Sequence, residues 1–175
     1  MCSVLTHPAV PIALSTVLPQ DALSSTVFLV GVACSVIPDL DVIGRKFGIR
    51  SPHMLGHRGL THSIAFAAVL GATLTYTLFR GSHPDPWVVC LFLFVSTLSH
   101  ALLDMLTNGG QGVALWAPFS NVRYFFPWRP IEVSPIGVRR FFSKRGVLIL
   151  WSELRWVWLP SAGVCILGIM IWRYG

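Results

Sequence analysis

A histidine and an aspartate four residues apart, His100 and Asp104, lie in a segment that is otherwise apolar. Residues at this spacing lie on one face of an α-helix, so the imidazole and the carboxylate can reach the same atom. Between Trp87 and Met105 the remaining residues are only Val, Cys, Leu, Phe, Ser, Thr and Ala. A carboxylate in such surroundings is costly to desolvate unless a positive group compensates it. The pair predicts either a metal-chelating site or a buried His–Asp hydrogen bond that braces two helices.

Further histidines and acids lie where apolar segments begin or end. Five of them are candidate ligands: His7, Asp39, Asp41, His57 and His62. Pro38 disfavours helical geometry at the residue before it, so the two aspartates are expected where a hydrophobic helix breaks. Gly56 and Gly59 allow the backbone around the two later histidines to bend closely. His53 and His83 have no partner motif and are expected to be solvated loop residues.

The composition is that of an integral membrane protein. Hydrophobic residues make up 54% of the 175 residues, charged residues only 11%, and the mean hydropathy is +0.67. Soluble domains contain about 25% charged residues. The length predicts one membrane-embedded domain over residues 1–175. The four cysteines are widely separated, form no C-x-x-C pair and are interpreted as small hydrophobic residues.

The apolar pattern predicts an all-α, polytopic membrane bundle with about five membrane segments. These segments are approximately residues 8–18, 22–37, 61–80, 87–106 and 147–172. The first is short for a hydrocarbon core of ~30 Å, so it is expected to be partial or re-entrant. Thr6 is expected to cap it, and Glu153 is interpreted as interfacial. Residues 107–145 are rich in Gly, Pro and aromatic residues and predict a structured interfacial cap.

The basic residues predict the orientation of the chain. All Lys and Arg residues except Arg80 and Arg173 lie in or beside residues 44–58 and 107–145, or just beyond them. The alternation of the five segments places residues 44–58 and 107–145 on the same side of the membrane. Because cytoplasmic loops are enriched in Lys and Arg, this side and the N-terminus are expected inside, and the C-terminus outside. The net charge of +6 is therefore interpreted as a topology signal facing anionic headgroups, and no nucleic-acid partner is expected.

The same alternation of segments across the membrane brings the candidate ligands to one face. They are His7, Asp39, Asp41, His57, His62, His100 and Asp104. Imidazoles and carboxylates without thiolates suit Zn²⁺ first and Mn²⁺ second, as one ion or as a pair. Arg58 can offer a forked donor to a phosphate oxygen; the alternative is a topology residue that faces lipid headgroups.

The motifs together resemble a known family. The motifs are Thr6-His7, Pro38-Asp39-Leu40-Asp41, His57-Arg58-Gly59-Leu60-Thr61-His62-Ser63, His100-Ala-Leu-Leu-Asp104 and Pro118-Phe119. Over nearly the whole chain they resemble the bacterial membrane-bound metal-dependent hydrolases of the YdjM type. That family is distantly similar to the helical zinc-dependent phospholipase C and S1/P1 nuclease group. The resemblance implies one ion held by Asp39 or Asp41, His57 or His62, His100 and Asp104. It also implies a second ion held partly by His7, which would share Asp104.

These observations favour a metal-dependent hydrolase in the bacterial inner membrane. Its expected substrate is a phosphoester of a lipid or another amphiphile at the cytoplasmic face, presented by the aromatic cap. Arg58 and the metal would take up the charge that develops on the phosphoryl group, and whichever of Asp39 and Asp41 is not a ligand would orient or deprotonate the attacking water. One alternative is a divalent-metal transporter, although the opposite face offers only His83 and Asp85. The other is a non-catalytic membrane protein with a structural metal.

Overall fold

The computed structural model describes residues 1–19, 23–81, 85–134 and 143–174. Its α-helices are α1 (Ala9–Val17), α2 (Ser25–Cys34), α3 (Ile64–Leu74), α4 (Pro86–Met105), α5 (Lys144–Glu153) and α6 (Leu159–Tyr174). Two 3₁₀ helices, Ile37–Phe47 and Leu60–His62, and two π-helical turns, Thr75–Phe79 and Leu154–Trp158, complete the helical elements of the described part. The all-α prediction is confirmed, and each of the five predicted segments contains a helix.

Three helical runs are apolar and long enough to cross a membrane. They are Ser25–Phe47, Pro86–Met105 and Lys144–Tyr174. The run Ile64–Phe79 is apolar but shorter, and α1 has only nine residues. At about 1.5 Å per residue, α1 covers less than half of the hydrocarbon core, as its sequence predicts.

Side-chain caps begin three of the helices. Ser24 accepts a hydrogen bond from Val27 N at the start of α2, and Ser63 accepts one from Phe66 N at the start of α3. Asp85 accepts from two backbone amides of α4. The prediction that Thr6 caps α1 is wrong, because the N-cap is Pro8, without a side-chain bond. The Thr6 hydroxyl instead donates to the carboxylate of Glu153.

The break predicted at Pro38 has an unexpected form. The α-helix ends at Cys34, and the chain continues as the 3₁₀ helix Ile37–Phe47, with Pro38 in its first turn. A 3₁₀ helix has fewer residues per turn than an α-helix, which changes the direction of successive side chains. Asp39 is buried in the bundle, whereas Phe47 at the end of the helix is 80% exposed.

The segment after α4 folds back over the end of that helix. Asn108 N donates to the carbonyl of Ile131, Ile131 N donates to that of Leu106, and Val113 pairs with Tyr124 as an isolated bridge. Large aromatic side chains on this segment are exposed, with Phe119 at 87%. Residues 107–134 therefore form a structured cap, as predicted. Residues 135–142 of the predicted cap, and the predicted turn and loop residues Gln20, Asp21 and His83, lie outside the described residues.

Candidate metal centre

Histidines and aspartates from remote parts of the chain form one buried cluster. Three groups of side chains each place ligand atoms within 4.8 Å of one another: His7–Asp39–His100, Asp39–His57–His62 and His62–His100–Asp104. All six residues are buried. Each pair of groups shares one residue, so the three groups are parts of a single cluster. The N-terminal segment, the first 3₁₀ helix, the loop before α3 and the last turns of α4 all contribute to it.

The most closely packed pair is His7 and His100. Their rings are stacked with centroids 3.6 Å apart and an interplanar angle of 11°. His100 Nδ1 lies 2.7 Å from the carbonyl oxygen of Ser35, so it carries the proton and donates it, which leaves a lone pair on Nε2. That Nε2 and both ring nitrogens of His7 have no hydrogen-bond partner among the described residues. Leaving such buried atoms unpaired costs about 1–3 kcal/mol each, so the lone pairs on His100 Nε2 and on the unprotonated nitrogen of His7 favour a cation.

The spacing of the facing nitrogen and oxygen atoms fits metal ligands. His100 Nε2 lies 3.3 Å from Asp39 Oδ1, and His62 Nε2 lies 3.7 Å from Asp104 Oδ2. Two ligand atoms at ~2.1 Å from one tetrahedral ion are ~3.4 Å apart. Neither Asp39 oxygen has a hydrogen-bond partner in the described part of the chain. The donor set and its spacing therefore fit a divalent transition metal.

Asp41 orients two histidines. Its Oδ1 accepts a hydrogen bond from His57 Nδ1 at 2.7 Å, and its Oδ2 lies 3.2 Å from His62 Nδ1. The Thr61 hydroxyl and the backbone N–H of Arg58 also donate to Oδ2, at 2.8 and 3.1 Å. Protonation of both histidines at Nδ1 leaves their Nε2 atoms as potential ligands, an arrangement typical of carboxylates behind metal-bound histidines.

The structure distinguishes Asp41 from Asp39. Asp41 belongs to none of the three ligand groups, and its two oxygens face His57 Nδ1 and the Thr61 hydroxyl. Of the two aspartates after Pro38, Asp39 is the candidate ligand and Asp41 the residue behind it. A role for Asp41 in orienting or deprotonating water stays a prediction.

Arg58 is also placed differently from the expectation. It is only 2% exposed, which contradicts the interpretation as a headgroup-facing residue. Its Nε lies 2.8 Å from Asp104 Oδ2, while Nη1 donates to Gly109 O and Nη2 to Thr107 Oγ1. The other oxygen of Asp104 accepts from Cys2 N. Three nitrogens of the guanidinium are therefore already engaged, and a role at a phosphate oxygen stays a prediction.

The backbone around Arg58 bends sharply. Arg58 has φ +63°, in the left-handed region that non-glycine residues seldom adopt. A Cβ on Gly59 would collide with the carbonyl oxygen of Met54, to which Leu60 N donates at 2.7 Å. The close bend predicted from the glycines is therefore present, and it directs His57 and His62 toward Asp41.

Burial keeps two of the imidazoles neutral. Desolvation lowers the pKa of His7 well below its usual value, and the nearby His100 lowers it further. Burial also lowers the pKa of His62, although its hydrogen bond to Asp41 opposes the change. Neutral imidazole is the form that binds a metal.

Glu153 is a residue of the site that the sequence did not indicate. It is fully buried, and its carboxylate accepts hydrogen bonds from Ser3 N, Ser3 Oγ at 2.6 Å, Thr6 Oγ1 at 2.8 Å and Cys2 Sγ at 3.3 Å. The expectation that the first turns of the last segment are interfacial stays a prediction, and the Glu153 side chain itself is buried against the N-terminal segment. Its carboxylate holds the segment that precedes His7, and only the neighbouring hydroxyls of that segment hint at this role.

Arg123 is a second unexpected participant. Its Nη2 donates to the carbonyls of Ser51 at 2.6 Å and His53 at 3.2 Å, and its Nη1 donates to those of His57 at 3.1 Å and Arg58 at 3.3 Å. Burial lowers the pKa of Arg123, and the charge of Arg58 lowers it further. The guanidinium thus fixes the loop that carries His57, a role that its sequence neighbours do not reveal.

A cleft reaches the cluster from the surface. Its volume is about 160 Å³, and it is lined by Met1, Ser51, His57, Arg58, Gly110, Gln111, Val133 and Ser134. His57 is therefore both a member of the cluster and a wall of the cleft. A molecule in the cleft would contact the candidate ligands on the side of His57 and Arg58.

Comparison with known proteins places this geometry in a family. The family model "YdjM inner membrane protein" matches residues 1–175. The chain belongs to this family. The inner membrane protein YbcI of Escherichia coli (strain K12) is 39% identical over 176 residues, covering 99% of either chain. No solved structure matches the chain, so the expected distant similarity to the phospholipase C and nuclease group stays a prediction.

The family and the apolar helices agree on the setting of the cluster. A protein of the YdjM inner membrane family with three helical runs of crossing length is a membrane protein, as the composition predicts. The buried His/Asp cluster lies at the ends of its helices, next to the cap, and not halfway along α4.

Proposed function

We propose that this YdjM-family membrane protein is a metal-dependent hydrolase that cleaves a phosphoester of a lipid or another amphiphile. One observation carries the proposal: ligand atoms of His7, Asp39 and His100, remote in sequence, meet without hydrogen-bond partners among the described residues, in a cluster whose member His57 lines a cleft. A purely structural His–Asp pair would satisfy its own hydrogen bonds and would need no access from the surface.

The residues of the chain divide into ligands and supporting groups. The ligands are His7, Asp39, His57, His62, His100 and Asp104. A Zn²⁺ or Mn²⁺ ion, or a pair of them, would act as a Lewis acid on the phosphoryl group and supply hydroxide near neutral pH. Asp41 fixes two imidazoles in the tautomer that leaves Nε2 free. Arg58 balances the charge of Asp104, and its guanidinium borders the space where a phosphoryl oxygen would lie.

The basic residues support a cytoplasmic site in the inner membrane. Arg45, Lys46 and Arg50 are exposed, Arg45 and Arg50 next to the cleft, and the positive-inside rule assigns such residues to the cytoplasm. The proposed topology therefore places the N-terminus inside and the C-terminus outside, with aromatic residues of the cap at the depth of the headgroups.

Metal content and turnover test the proposal together. The purified full-length protein should contain one or two Zn²⁺ or Mn²⁺ ions by elemental analysis. His100→Ala should lose most of this metal, whereas the exposed His53→Ala should retain it. Phosphoester lipids in detergent should be hydrolysed by the wild-type protein and by His53→Ala, but not by His100→Ala.

Two outcomes would contradict the proposal. Unchanged metal content in His100→Ala would show that the cluster is not the metal site. Metal flux through sealed proteoliposomes without turnover of any phosphoester lipid would identify a transporter instead.

A further inference from the structure

A second cleft adjoins the one beside His57. It has a volume of about 340 Å³ and is lined by Arg45, Gly48, Ile49, Arg50, Ser51, Pro52 and Gln111. Ser51 and Gln111 also line the inner cleft. The two clefts therefore adjoin at Ser51 and Gln111, and together they are called the groove, from Arg45 and Arg50 on the outside to His57 of the candidate metal centre.

The outer part of the groove is electropositive. Arg45 and Arg50 are exposed at its mouth, and neither guanidinium forms an ion pair with a described residue. No Asp or Glu is among the residues that line either cleft. Guanidinium groups bind phosphate oxygens through paired N–H donors. Two unpaired guanidiniums without a nearby carboxylate are therefore suited to an anion.

The backbone that carries these arginines is well fixed. Gly48 N donates to Arg45 O at 3.2 Å, and His53 N donates to Arg50 O at 3.0 Å. Arg123 holds the carbonyl of Ser51 from behind. The mouth of the groove is therefore a built part of the fold, and only the side chains of Arg45 and Arg50 need to adjust to a ligand.

Apolar side chains lie next to the mouth. Leu40, Ile43 and Phe47, on the 3₁₀ helix that carries Arg45, are 60%, 51% and 80% exposed. Exposed apolar residues beside arginines suit the boundary between the acyl chains and the headgroups of a membrane.

We propose that this groove binds a phosphate-bearing anionic headgroup, with Arg45 and Arg50 at its mouth and His57 and Arg58 at its inner end. The assignment deepens the proposed function and rests on it for one point only, namely that the ester to be cleaved lies at the inner end. The substrate class is then an anionic phosphoester whose own headgroup charge is recognised by the two outer arginines.

Direct binding to the purified full-length protein tests the groove. The probes are phosphatidylglycerol in mixed micelles, phosphatidylcholine in the same micelles, and glycerol 3-phosphate in solution. The variant Arg45→Gln/Arg50→Gln should bind the anionic probe about tenfold or more weakly than the wild type, with unchanged metal content. The variant Lys46→Gln/Arg80→Gln removes the same charge outside the groove and should change affinity less than about twofold.

The results separate the two possible sources of the phosphate. Arginine-dependent binding of phosphatidylglycerol alone would support a lipid headgroup as the ligand. Arginine-dependent binding of glycerol 3-phosphate as well would support recognition of the phosphate without its acyl chains. Equal affinity in the wild type and the Arg45→Gln/Arg50→Gln variant would contradict anion binding in the groove, and so would equal losses of affinity in both double variants.

Failure of the groove and failure of the proposed function give different results. Arginine-dependent binding by a protein that hydrolyses no phosphoester would support the groove and contradict the hydrolase. Hydrolysis by the Arg45→Gln/Arg50→Gln variant with wild-type kcat/KM would support the hydrolase and overturn the groove.

Discussion

The surroundings of His7 are the most direct indication that the cluster binds a cation. Both of its ring nitrogens are buried without a hydrogen-bond partner in the described structure, and its ring is stacked on His100. Stacking alone would be served equally well by an aromatic hydrocarbon ring. At this position an imidazole is more favourable than a hydrocarbon ring only when its lone pair binds a cation.

The variant His7→Phe separates stacking from ligation. Phe preserves an aromatic ring against His100 but removes both nitrogens, so we expect the fold to persist while the metal content falls by up to one ion per chain. Elemental analysis and thermal unfolding of the same preparation measure the two effects. Wild-type metal content in His7→Phe would exclude His7 as a ligand, and His53→Phe serves as the control.

Asp39 and Asp41 should differ in their effects on metal affinity. Asp39→Asn removes a candidate ligand, whereas Asp41→Asn keeps the ligands and weakens the hydrogen bonds that orient His57 and His62. Loss of an orienting carboxylate typically lowers metal affinity about 10–100-fold. We expect Asp41→Asn to fall in that range and Asp39→Asn to lose more, as measured by competition with a chelator. The reverse order would contradict the roles assigned to the two carboxylates.

The sequence predicted these residues better than it predicted their roles. All seven candidate ligands lie in or directly behind one cluster, because a histidine or aspartate in an apolar chain is retained only where something compensates it. The division of labour between Asp39 and Asp41 depends on which carboxylate faces the protein's own donors. The sequence alone does not show which of the two carboxylates faces these donors, whereas the 3₁₀ helix does.

At the scale of elements, the N-terminal segment is held by the last helical run. Glu153 ends α5 immediately before the π-helical turn Leu154–Trp158, and π-helical turns often occur at functional sites. Trp158 from that turn also donates to the Thr6 hydroxyl. The segment that carries His7 is thus positioned from the opposite end of the sequence.

Glu153→Ala should lower metal affinity without removing a ligand. Loss of the carboxylate leaves Ser3 and Thr6 without their acceptor, so we expect the segment before His7 to loosen and the ion near His7 to be lost. Glu132→Ala, on the half-buried cap, is the control. In a His7→Phe background Glu153→Ala should remove no further metal, since its effect acts through His7. An additive loss in the double variant would contradict a positioning role.

The helices could be predicted from the sequence, but the long-range contacts between them could not. Apolar runs and caps such as Ser24 and Asp85 are local signals, and they locate the helices within a few residues. The contacts of Glu153 with Ser3 and Thr6 join residues 150 and 147 positions apart. No periodicity in a single sequence encodes such pairings, and a lone Glu near a basic stretch resembles an interfacial residue.

At the scale of the whole molecule, the cluster joins parts of the bundle that are remote from one another in sequence. The N-terminal segment, the 3₁₀ helix Ile37–Phe47, the loop before α3 and the end of α4 each contribute at least one candidate ligand. One apolar cluster, with Val27, Phe92 and Leu93, lies between α2 and α4, and two smaller ones include Leu103 and Met105 near the end of α4. Binding a cation should therefore add to the contacts that hold these segments together.

Removal of the metal should consequently lower the thermal stability of the protein. A ligand that binds only the folded state contributes about 2.7 kcal/mol at a free concentration one hundred times its Kd, which corresponds to a Tm change of roughly 5–10 °C for a chain of this size. We expect a chelator to lower Tm by this order and added Zn²⁺ to restore it, as followed by unfolding in detergent. His100→Ala should start from a lower Tm and respond to neither treatment, because the ion that links the segments is already lost. A chelator that removes the metal from the wild type without changing Tm would show that the ion does not hold these segments together.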